Sequence, residues 1–347
     1  MEAKQCVAGI GEILMDVFEN AQVTLGGAPF NVSFHVHQLL TALSLGEAVF
    51  LSAIGSDPWG QSIRAAVASA KMTGDYIAIV NKPTGSALVF EHEGGAGFEI
   101  QQDVAWDQIH LNEGALALAR RCDAVVFGSL AQRSDVSRAS IQKFVAAVEG
   151  HRLYDVNLRR NTTDGVAGYS AEIIADSLRL ATLVKMNDSE LEEVTSLLGI
   201  TVDLSAGEER MRALMSRLAE RFSLQMVAIT RGAKGAVFLS RGQFFQLPDS
   251  TLDQVLVHPV GAGDSFAAGL LFGVIQNWRP QESLELANLL SSYVVRHVTA
   301  TPELTDVLLA QVRSLMVRAT MAAAHSAHRG AAQTERREMR ECDQIPN

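Results

Sequence analysis

Short apolar runs alternate along the chain with longer stretches in which apolar residues recur at helical spacing. Most of the short runs lack strict alternation of apolar and polar positions, as expected for strands that helices cover on both faces. After the first run, Val32, Val36 and Leu39 show the helical spacing. The predicted strands are Val7–Ile13, Val49–Ile54, Ala124–Gly128, Leu153–Asn157, Leu183–Asn187, Met226–Thr230 and Ala236–Leu239. This order of elements predicts βαβ units and an α/β fold with a mostly parallel sheet.

Two segments interrupt this order and predict a smaller second sheet. Residues 15–24 are extended and polar, and residues 86–101 (SALVFEHEGGAGFEIQ) are typical of two strands around the Gly94-Gly95 turn. Because neither segment leads directly into a helix, we expect them to form a small antiparallel β lid beside the main sheet.

The rest of the chain divides into a core and a tail. We expect the core to comprise residues 1–14, 25–85 and 102–317. Thr301 as an N-cap and Pro302 at the first helical position predict the start of a late helix. Beyond residue 317, Ala, His, Arg and Glu dominate and aromatic residues disappear. Residues 318–347 therefore predict a polar tail, either a solvated helix or a disordered segment.

Composition and charge exclude several classes of function. The 347 residues are 48% apolar and 20% charged, as in folded globular proteins. The net charge of −10 argues against a nucleic-acid partner, and no apolar run approaches the ~18 residues that span a bilayer. Glu12 comes too early for a signal peptide, and Cys6, Cys122 and Cys342 form neither a disulfide framework nor a zinc cluster. We expect a cytoplasmic protein that acts on a small molecule, without nucleic-acid or membrane partners.

The strongest chemical signal is GAGDSF at residues 261–266, which leads into the apolar helical run AAGLLFGVI. Glycines just before a helix let backbone N–H groups approach an anion, and the helix dipole favours negative charge there. The motif is neither a Walker loop nor a good dinucleotide fingerprint, because no Gly-Lys-Ser/Thr follows and Phe266 replaces the third glycine. Asp264 would repel a bound phosphate, but it could take the proton from a hydroxyl that attacks phosphorus. A helix-capping acid after a tight turn is the alternative interpretation.

A second motif, GGAPFN at residues 26–31, also opens a helix. Gly26 and Gly27 would let a small ligand approach the backbone, and Asn31 offers both a donor and an acceptor to a hydroxyl. Upstream, Asp16 could accept hydrogen bonds from two neighbouring hydroxyls. An ordinary loop with a helix start explains the motif equally well.

Two further motifs follow predicted strands. In KMNDSE at residues 185–190, Asn187 and Glu190 offer oxygen ligands at a spacing that suits hydrated Mg²⁺, although a helix cap with a first-turn acid would look the same. In TRGAKGA, the small residues after Thr230, namely Gly232 and Gly235, would accept a flat base or a phosphate tail. A glycine-rich hairpin is the alternative there.

These motifs, in this order, resemble the ribokinase or PfkB family of carbohydrate kinases over roughly residues 5–315. The GAGDSF box is the most specific match, and GGAPFN, GSDPWG, KMNDSE, TRGAKGA and Thr84 in KPTGSA support it. GEILMD at residues 11–16 and DVNLR at residues 155–159 are most similar to fructokinases and ketodeoxygluconate kinases. The resemblance implies a Rossmann-like three-layer core with a β lid.

The resemblance also implies ATP-dependent phosphorylation of a sugar hydroxyl, most specifically the 6-hydroxyl of fructose. Asp264 would be the general base, and the N–H groups of Gly261, Ala262 and Gly263 would form the anion hole. The implied contacts are Asp16, Gly26, Gly27, Asn31 and Arg159 for the sugar, Lys185, Thr230, Gly232, Gly235 and Gly263 for ATP, and Asn187 and Glu190 for Mg²⁺ through water.

Three alternatives remain open at this stage. The first is the same chemistry on ketodeoxygluconate, another sugar or a nucleoside. The second is a non-catalytic sugar or nucleotide sensor on the same fold, although Asp264 and the glycine hole are intact. The third is a nucleotide-dependent oxidoreductase, which lacks its early Gly-x-Gly-x-x-Gly because Ile13 and Leu14 follow Gly11.

One segment departs from the resemblance. His258-Pro259 precede Val260 where the family usually carries Asp-Thr, in a loop that commonly helps to hold a monovalent cation such as K⁺. Because an imidazole cannot replace a carboxylate around a hard cation, we expect a weak response to K⁺ unless carbonyl oxygens alone hold the ion. The open edges of the lid strands also predict a homodimer that pairs two lids.

Overall fold

The described part of the chain forms two β-sheets, and helices pack on both faces of the larger one. The structure is a computed structural model that describes residues 4–92, 95–247 and 260–321. The strands are β1 (Gln5–Ile10), β2 (Leu14–Phe18), β3 (Val23–Gly26), β4 (Gly46–Ile54), β5 (Ile77–Ile79), β6 (Ser86–His92), β7 (Gly95–Ile100), β8 (Ala124–Gly128), β9 (His151–Asp155), β10 (Leu183–Asn187), β11 (Met226–Thr230), β12 (Ala236–Ser240) and β13 (Gln243–Leu247). The helices are α1 (Ala28–Ala42), α2 (Pro58–Ser69), α3 (Glu113–Ala119), α4 (Asp135–Ala146), α5 (Ala171–Leu180), α6 (Asp188–Leu197), α7 (Gly207–Phe222), α8 (Ala262–Ile275) and α9 (Pro280–Val294), followed by a helix over 306–321.

The larger sheet has the strand order β13-β12-β11-β10-β9-β8-β1-β4-β5. Every pair from β11 to β5 is parallel, and only the β11–β12 and β12–β13 pairs are antiparallel. The predicted mostly parallel sheet is therefore confirmed. Because β1 lies between β4 and β8, the strand order reverses on either side of it, and a ligand is expected at the carboxyl ends of the strands near this point.

Alternate residues of the central strands face opposite helical layers. On β8, Val125 and Phe127 belong to a core cluster with residues of α3 to α7, whereas Ala124 and Val126 belong to a second cluster with residues of α1, α8 and α9. Both faces of the sheet are thus apolar and covered, which explains why the strands lack polar alternation. This confirms the three-layer α/β core.

The lid is a separate four-stranded sheet with the order β3-β2-β6-β7. Its outer pairs, β2–β3 and β6–β7, are antiparallel, but the central β2–β6 pair is parallel. The expectation of a wholly antiparallel lid was therefore wrong. The reason is topological, because the chain passes through α1, β4, α2 and β5 between β2 and β6 and returns in the same direction.

The late helix begins at residue 306, four residues after the predicted first position. Thr305 provides the hydroxyl that accepts from the N–H of Leu308 at 3.3 Å. Gln38 on α1 holds the preceding residues, because its amide donates to the carbonyl of Pro302 and accepts from the N–H of Leu304. The prediction of Thr301 and Pro302 as the helix start was wrong because this tertiary contact keeps residues 302–304 out of the helix.

Some sequence predictions fall outside what the structure describes. The tail beyond residue 321 and the pair His258-Pro259 lie outside the described residues. Within the part that is described, no helix is long and apolar enough to cross a membrane. Pairing of two lids into a homodimer stays a prediction.

Helix α8 is buried along its whole length from Asp264 onward and packs against α1 and α9. A Cβ atom at Gly269 would lie 2.7 Å from the Cα of Ala287 and 2.9 Å from the carbonyl oxygen of Leu286, both backbone atoms of α9. The contact between the two helices thus requires a residue without a side chain at position 269.

We expect Gly269→Ala to lower the free energy of unfolding by about 1–3 kcal/mol, because the added methyl group forces α8 away from α9. Gly74→Ala is the matched control, since a Cβ atom at Gly74 would meet nothing within 4 Å. Urea denaturation of both variants checks this expectation. Equal midpoints for the two would contradict the close packing.

Candidate active site

A cavity of about 500 Å³ lies at the carboxyl ends of the parallel strands, between the core and the lid. The predicted site residues on its wall are Asp16, Gly27, Asn31, Arg159, Lys185, Asn187, Glu190, Thr230, Gly261, Gly263 and Asp264. Segments far apart in sequence therefore meet at one place, as expected for a parallel sheet.

Four of the predicted residues are not on the cavity wall as the structure describes it. Gly26 lies behind Asp16, since a Cβ atom there would come 2.1 Å from the Asp16 carboxylate. Ala262 is the first residue of α8. Gly232 and Gly235 lie in the turn between β11 and β12, next to Thr230, where a role in binding ATP stays a prediction.

Helix α8 directs its N-terminus into the cavity. Gly261, its N-cap, has φ +84°, a left-handed conformation that favours glycine. The buried Asp264 lies in the first turn, and its Oδ2 accepts a hydrogen bond of 2.7 Å from Nδ2 of Asn31. Among the described contacts, Oδ1 of Asp264 remains available to a ligand. The carboxylate is therefore oriented by α1 and not by a helix cap of its own.

Helix α1 is brought close to the cavity by Gly27. This residue has φ +108°, and a Cβ atom there would lie 2.4 Å from the carbonyl oxygen of Glu12. Any other residue would push α1 away from the β1–β2 loop. Because Asn31 is one helical turn later, its side chain reaches Asp264, while its Oδ1 is buried without a protein partner.

A buried ion pair lies beneath the start of α8. Nζ of Lys185 is 3.0 Å from Oδ1 of Asp155, and both side chains are almost fully buried. Nζ is also 2.8 Å from where a Cβ atom of Gly263 would be. Burial opposes the charge on Lys185, but attraction to Asp155, Glu190 and Asp264 outweighs it and raises the pKa of the ammonium group. A fixed positive charge therefore lies beside the N-terminus of α8.

Asn187 and Glu190 form a helix cap, the interpretation that the sequence offered as an alternative to a Mg²⁺ site. Oδ1 of Asn187 accepts from the N–H of Glu190 at 2.7 Å, and Oε2 of Glu190 accepts from the N–H of Asn187 at 2.8 Å. Oε1 of Glu190 accepts from the N–H of Leu158 at 2.9 Å. Each carboxylate oxygen therefore has only one lone pair left, which fits a hydrated Mg²⁺ held through water but not an ion held by several direct ligands. In the described chain, no three His, Cys, Asp or Glu side chains cluster as metal ligands.

The opposite end of the cavity is formed partly by the lid. Asp16 on β2 is buried there, and the guanidinium of Arg159 lies 4.8 Å from the ring centre of Phe98 on β7. Burial raises the pKa of Asp16 to about 7, with Arg159 opposing the shift and Asp264 adding to it. A carboxyl, a guanidinium and an aromatic ring thus face the same space, a combination suited to a polar ligand with an apolar face.

Sequence reasoning missed two polar residues of the cavity wall. Glu12 is buried, and its Oε2 has no hydrogen-bond partner. Asn157 has φ +38°, a strained backbone conformation for a residue other than glycine. Both lie in segments that carry the family resemblance, GEILMD and DVNLR, but only their structural placement separates them from their neighbours.

Comparison with known proteins supports one family. Residues 3–306 match the sequence model described as pfkB family carbohydrate kinase. The chain is 26% identical over 283 residues to the sugar kinase PH1459 of Pyrococcus horikoshii, covering 78% of this chain and 83% of that protein. It is 24% identical over 287 residues to a fructokinase of Klebsiella pneumoniae, covering 80% and 87%.

The same fold occurs in a fructokinase of Xylella fastidiosa with bound ATP. The two structures superpose with a TM-score of 0.74 at 20% identity, covering 91% of this chain and 99% of the other. This likeness confirms a ribokinase-like architecture with a core and a lid.

The buried Glu12 predicts an unusual dependence of stability on pH. Burial, with a smaller contribution from Asp264, raises its pKa from 4.5 to about 7. Between these values the folded chain holds one proton more than the unfolded chain, so the free energy of unfolding falls as the pH rises, by about 3 kcal/mol in total.

Because glutamine cannot ionise, Glu12→Gln should gain stability relative to the wild type between pH 5 and pH 8. Urea denaturation of both proteins at the two pH values measures this difference. Glu47→Gln, at an exposed position of β4, should show no such gain. Parallel pH dependences for the wild type and Glu12→Gln would contradict the expectation.

Proposed function

Because the chain belongs to the pfkB family of carbohydrate kinases, we propose that it transfers the γ-phosphoryl group of ATP to the 6-hydroxyl of fructose. The observation that carries this proposal is the 2.7 Å hydrogen bond from Asn31 to Asp264 at the cavity-facing end of α8. It directs a carboxylate at the place where a helix N-terminus attracts a phosphoryl group. A sensor without catalysis would have no use for this arrangement.

Asp264 acts as the general base on the attacking hydroxyl. Asn31 occupies Oδ2, and Oδ1 accepts the proton of the sugar hydroxyl as its oxygen approaches phosphorus. The proton moves to a group that is already oriented, so little reorganisation accompanies the transfer.

The start of α8 stabilises the charge on the transferring group. The N–H groups of the Gly261–Gly263 turn point away from the helix body, because the first intrahelical bond is from Ser265 to the carbonyl of Gly261. Lys185, held by Asp155, adds a positive charge beneath Gly263. Preorganised donors of this kind act most strongly in a site that excludes water, which is the role of the lid.

The nucleotide extends from this turn toward β10 and β11. Thr230, at the end of β11, lines the cavity, and Gly232 and Gly235 continue the same loop. Asn187 and Glu190 would hold hydrated Mg²⁺, which would neutralise phosphate charge. ATP-bound crystals of a family member with the same fold support the choice of nucleotide.

The end of the cavity that contains Asp16 and Arg159, here called the sugar end, has charges that favour an unphosphorylated substrate. Of the basic residues on the described cavity wall, Lys185 is paired with Asp155, and only Arg159 faces the sugar end. Asp16 and Glu12 also lie on this part of the wall, and their ionised forms would repel a second phosphate. The fructokinase of Klebsiella pneumoniae supports fructose.

Arg159 favours one second candidate. Its guanidinium lies over Phe98 and donates to the carbonyl of Leu158, and a guanidinium is well suited to a carboxylate. Ketodeoxygluconate, a sugar acid, is therefore the alternative substrate.

We expect Asp264→Asn to lower kcat by about 10²–10⁴-fold while the chain stays folded and still binds ATP. Asparagine has the same shape but cannot accept the proton. Coupled ADP-release assays give kcat, and circular dichroism and ATP titration provide the controls. Retention of more than a third of the wild-type kcat would refute the assignment of Asp264.

A panel of acceptors tests the substrate. We expect a higher kcat/KM for fructose than for fructose 1-phosphate or fructose 6-phosphate, because Arg159 is the one basic side chain on the described wall at the sugar end. Faster turnover of either phosphate ester would refute an unphosphorylated substrate. Preference for ketodeoxygluconate would replace fructose but keep the kinase.

A further inference from the structure

Helix α1 makes one polar contact with the start of α8 and another with the segment that packs against it, and the proposed mechanism uses only the first. Asn31 binds Asp264, and His35, one turn later, lies with its Nε2 2.9 Å from the carbonyl oxygen of Ala300. A carbonyl oxygen can only accept, so Nε2 of His35 carries the proton and donates it. The imidazole is completely buried, and this burial lowers its pKa and keeps it neutral.

The carbonyl that His35 binds faces the N-cap of α8. A Cβ atom at Gly261 would lie 3.0 Å from the Ala300 oxygen and 2.7 Å from its Cα. Ala300 therefore packs directly against the glycine turn that forms the anion hole. The Ala300 carbonyl oxygen is therefore close both to His35 and to Gly261.

Packing alone does not explain a histidine at this position. Nδ1 of His35 is buried without a hydrogen-bond partner, which a hydrocarbon side chain of similar size would avoid. Gln38, on the next turn of α1, binds the Pro302 carbonyl and the Leu304 N–H, so α1 fixes the same segment at two places. His35 contributes to the structure through the hydrogen bond that its Nε2 donates to Ala300.

We propose that His35 is a positioning residue for phosphoryl transfer. By holding the Ala300 carbonyl against Gly261, it fixes the turn from which the α8 N–H groups and Asp264 project. This inference rests on the proposed function, since it holds that His35 maintains the geometry of the anion hole that the kinase would use. We expect an effect on turnover and not on sugar binding by Asp16 and Arg159, because neither His35 nor Ala300 lies on the described cavity wall.

The same helix offers a matched control. His37 is also buried, and its Nδ1 contacts backbone atoms of Ala48 on β4. It differs from His35 in facing β4 and not the start of α8. Substitution of His37 therefore reports the cost of losing a buried imidazole from α1 without disturbing Ala300.

The experiment compares His35→Phe, His35→Gln and His37→Phe with the wild type. Phenylalanine fills a similar volume without a donor, whereas the glutamine amide can reach the position of Nε2. For His35→Phe we expect kcat to fall about tenfold to a hundredfold with a fructose KM within about twofold. His35→Gln should recover most of the loss, and His37→Phe should retain the wild-type kcat.

Amide hydrogen exchange provides a readout that does not require activity. We expect the amide of Ser265, which donates to the carbonyl of Gly261, to exchange faster in His35→Phe but not in His37→Phe. Equal kcat values and equal exchange in the two phenylalanine variants would overturn the proposal, as would an effect on KM alone. If His35→Phe does not fold, a wild-type kcat and exchange pattern in His35→Gln support the proposal, and a defect equal to that of His35→Ala overturns it.

Failure of the proposed function would be visible separately. If the wild-type protein phosphorylates no sugar, the proposed sugar kinase activity is refuted. The exchange data would still decide whether His35 fixes the turn at the start of α8.

Discussion

The hydrogen bond between Asn31 and Asp264 joins the two helices that enclose the cavity, and the geometry of the site depends on it. It exists because α1 starts at Gly27, where the backbone of Glu12 leaves no room for a side chain, and because α8 is buried along its length. The bond occupies one oxygen of the carboxylate and orients the other. The orientation of Asp264 is thus produced by helix packing.

Acidic side chains dominate the electrostatics of this cavity. Glu12, Asp16, Glu190 and Asp264 lie on its wall, and burial raises the pKa of Glu12 and of Asp16 to about 7. Lys185 and the N-terminus of α8 offset this charge only where a phosphoryl group would lie. The cavity is therefore divided into an end that attracts anions and an end suited to hydroxyl donors, which explains how one site could hold ATP and a neutral sugar.

Much of this arrangement is readable from the sequence. Apolar runs without polar alternation predict strands buried on both faces, and GAGDSF places Asp264 at a helix start, because both are local patterns. The role of Asn31 toward Asp264, the unpartnered Glu12 and the contact of His35 with Ala300 depend on pairings between distant segments, which one sequence does not encode locally. The parallel β2–β6 pair and the delayed start of the last helix were mispredicted for the same reason.

The most direct test of the central claim is a crystal structure with fructose and a non-hydrolysable ATP analogue bound. The account predicts that the 6-hydroxyl oxygen lies within hydrogen-bond distance of Oδ1 of Asp264, about 2.6–3.2 Å, while Asn31 keeps its bond to Oδ2. The γ-phosphoryl analogue should lie against the Gly261–Gly263 turn. A sugar hydroxyl directed at another carboxylate, or Asp264 facing away from both ligands, would contradict the account.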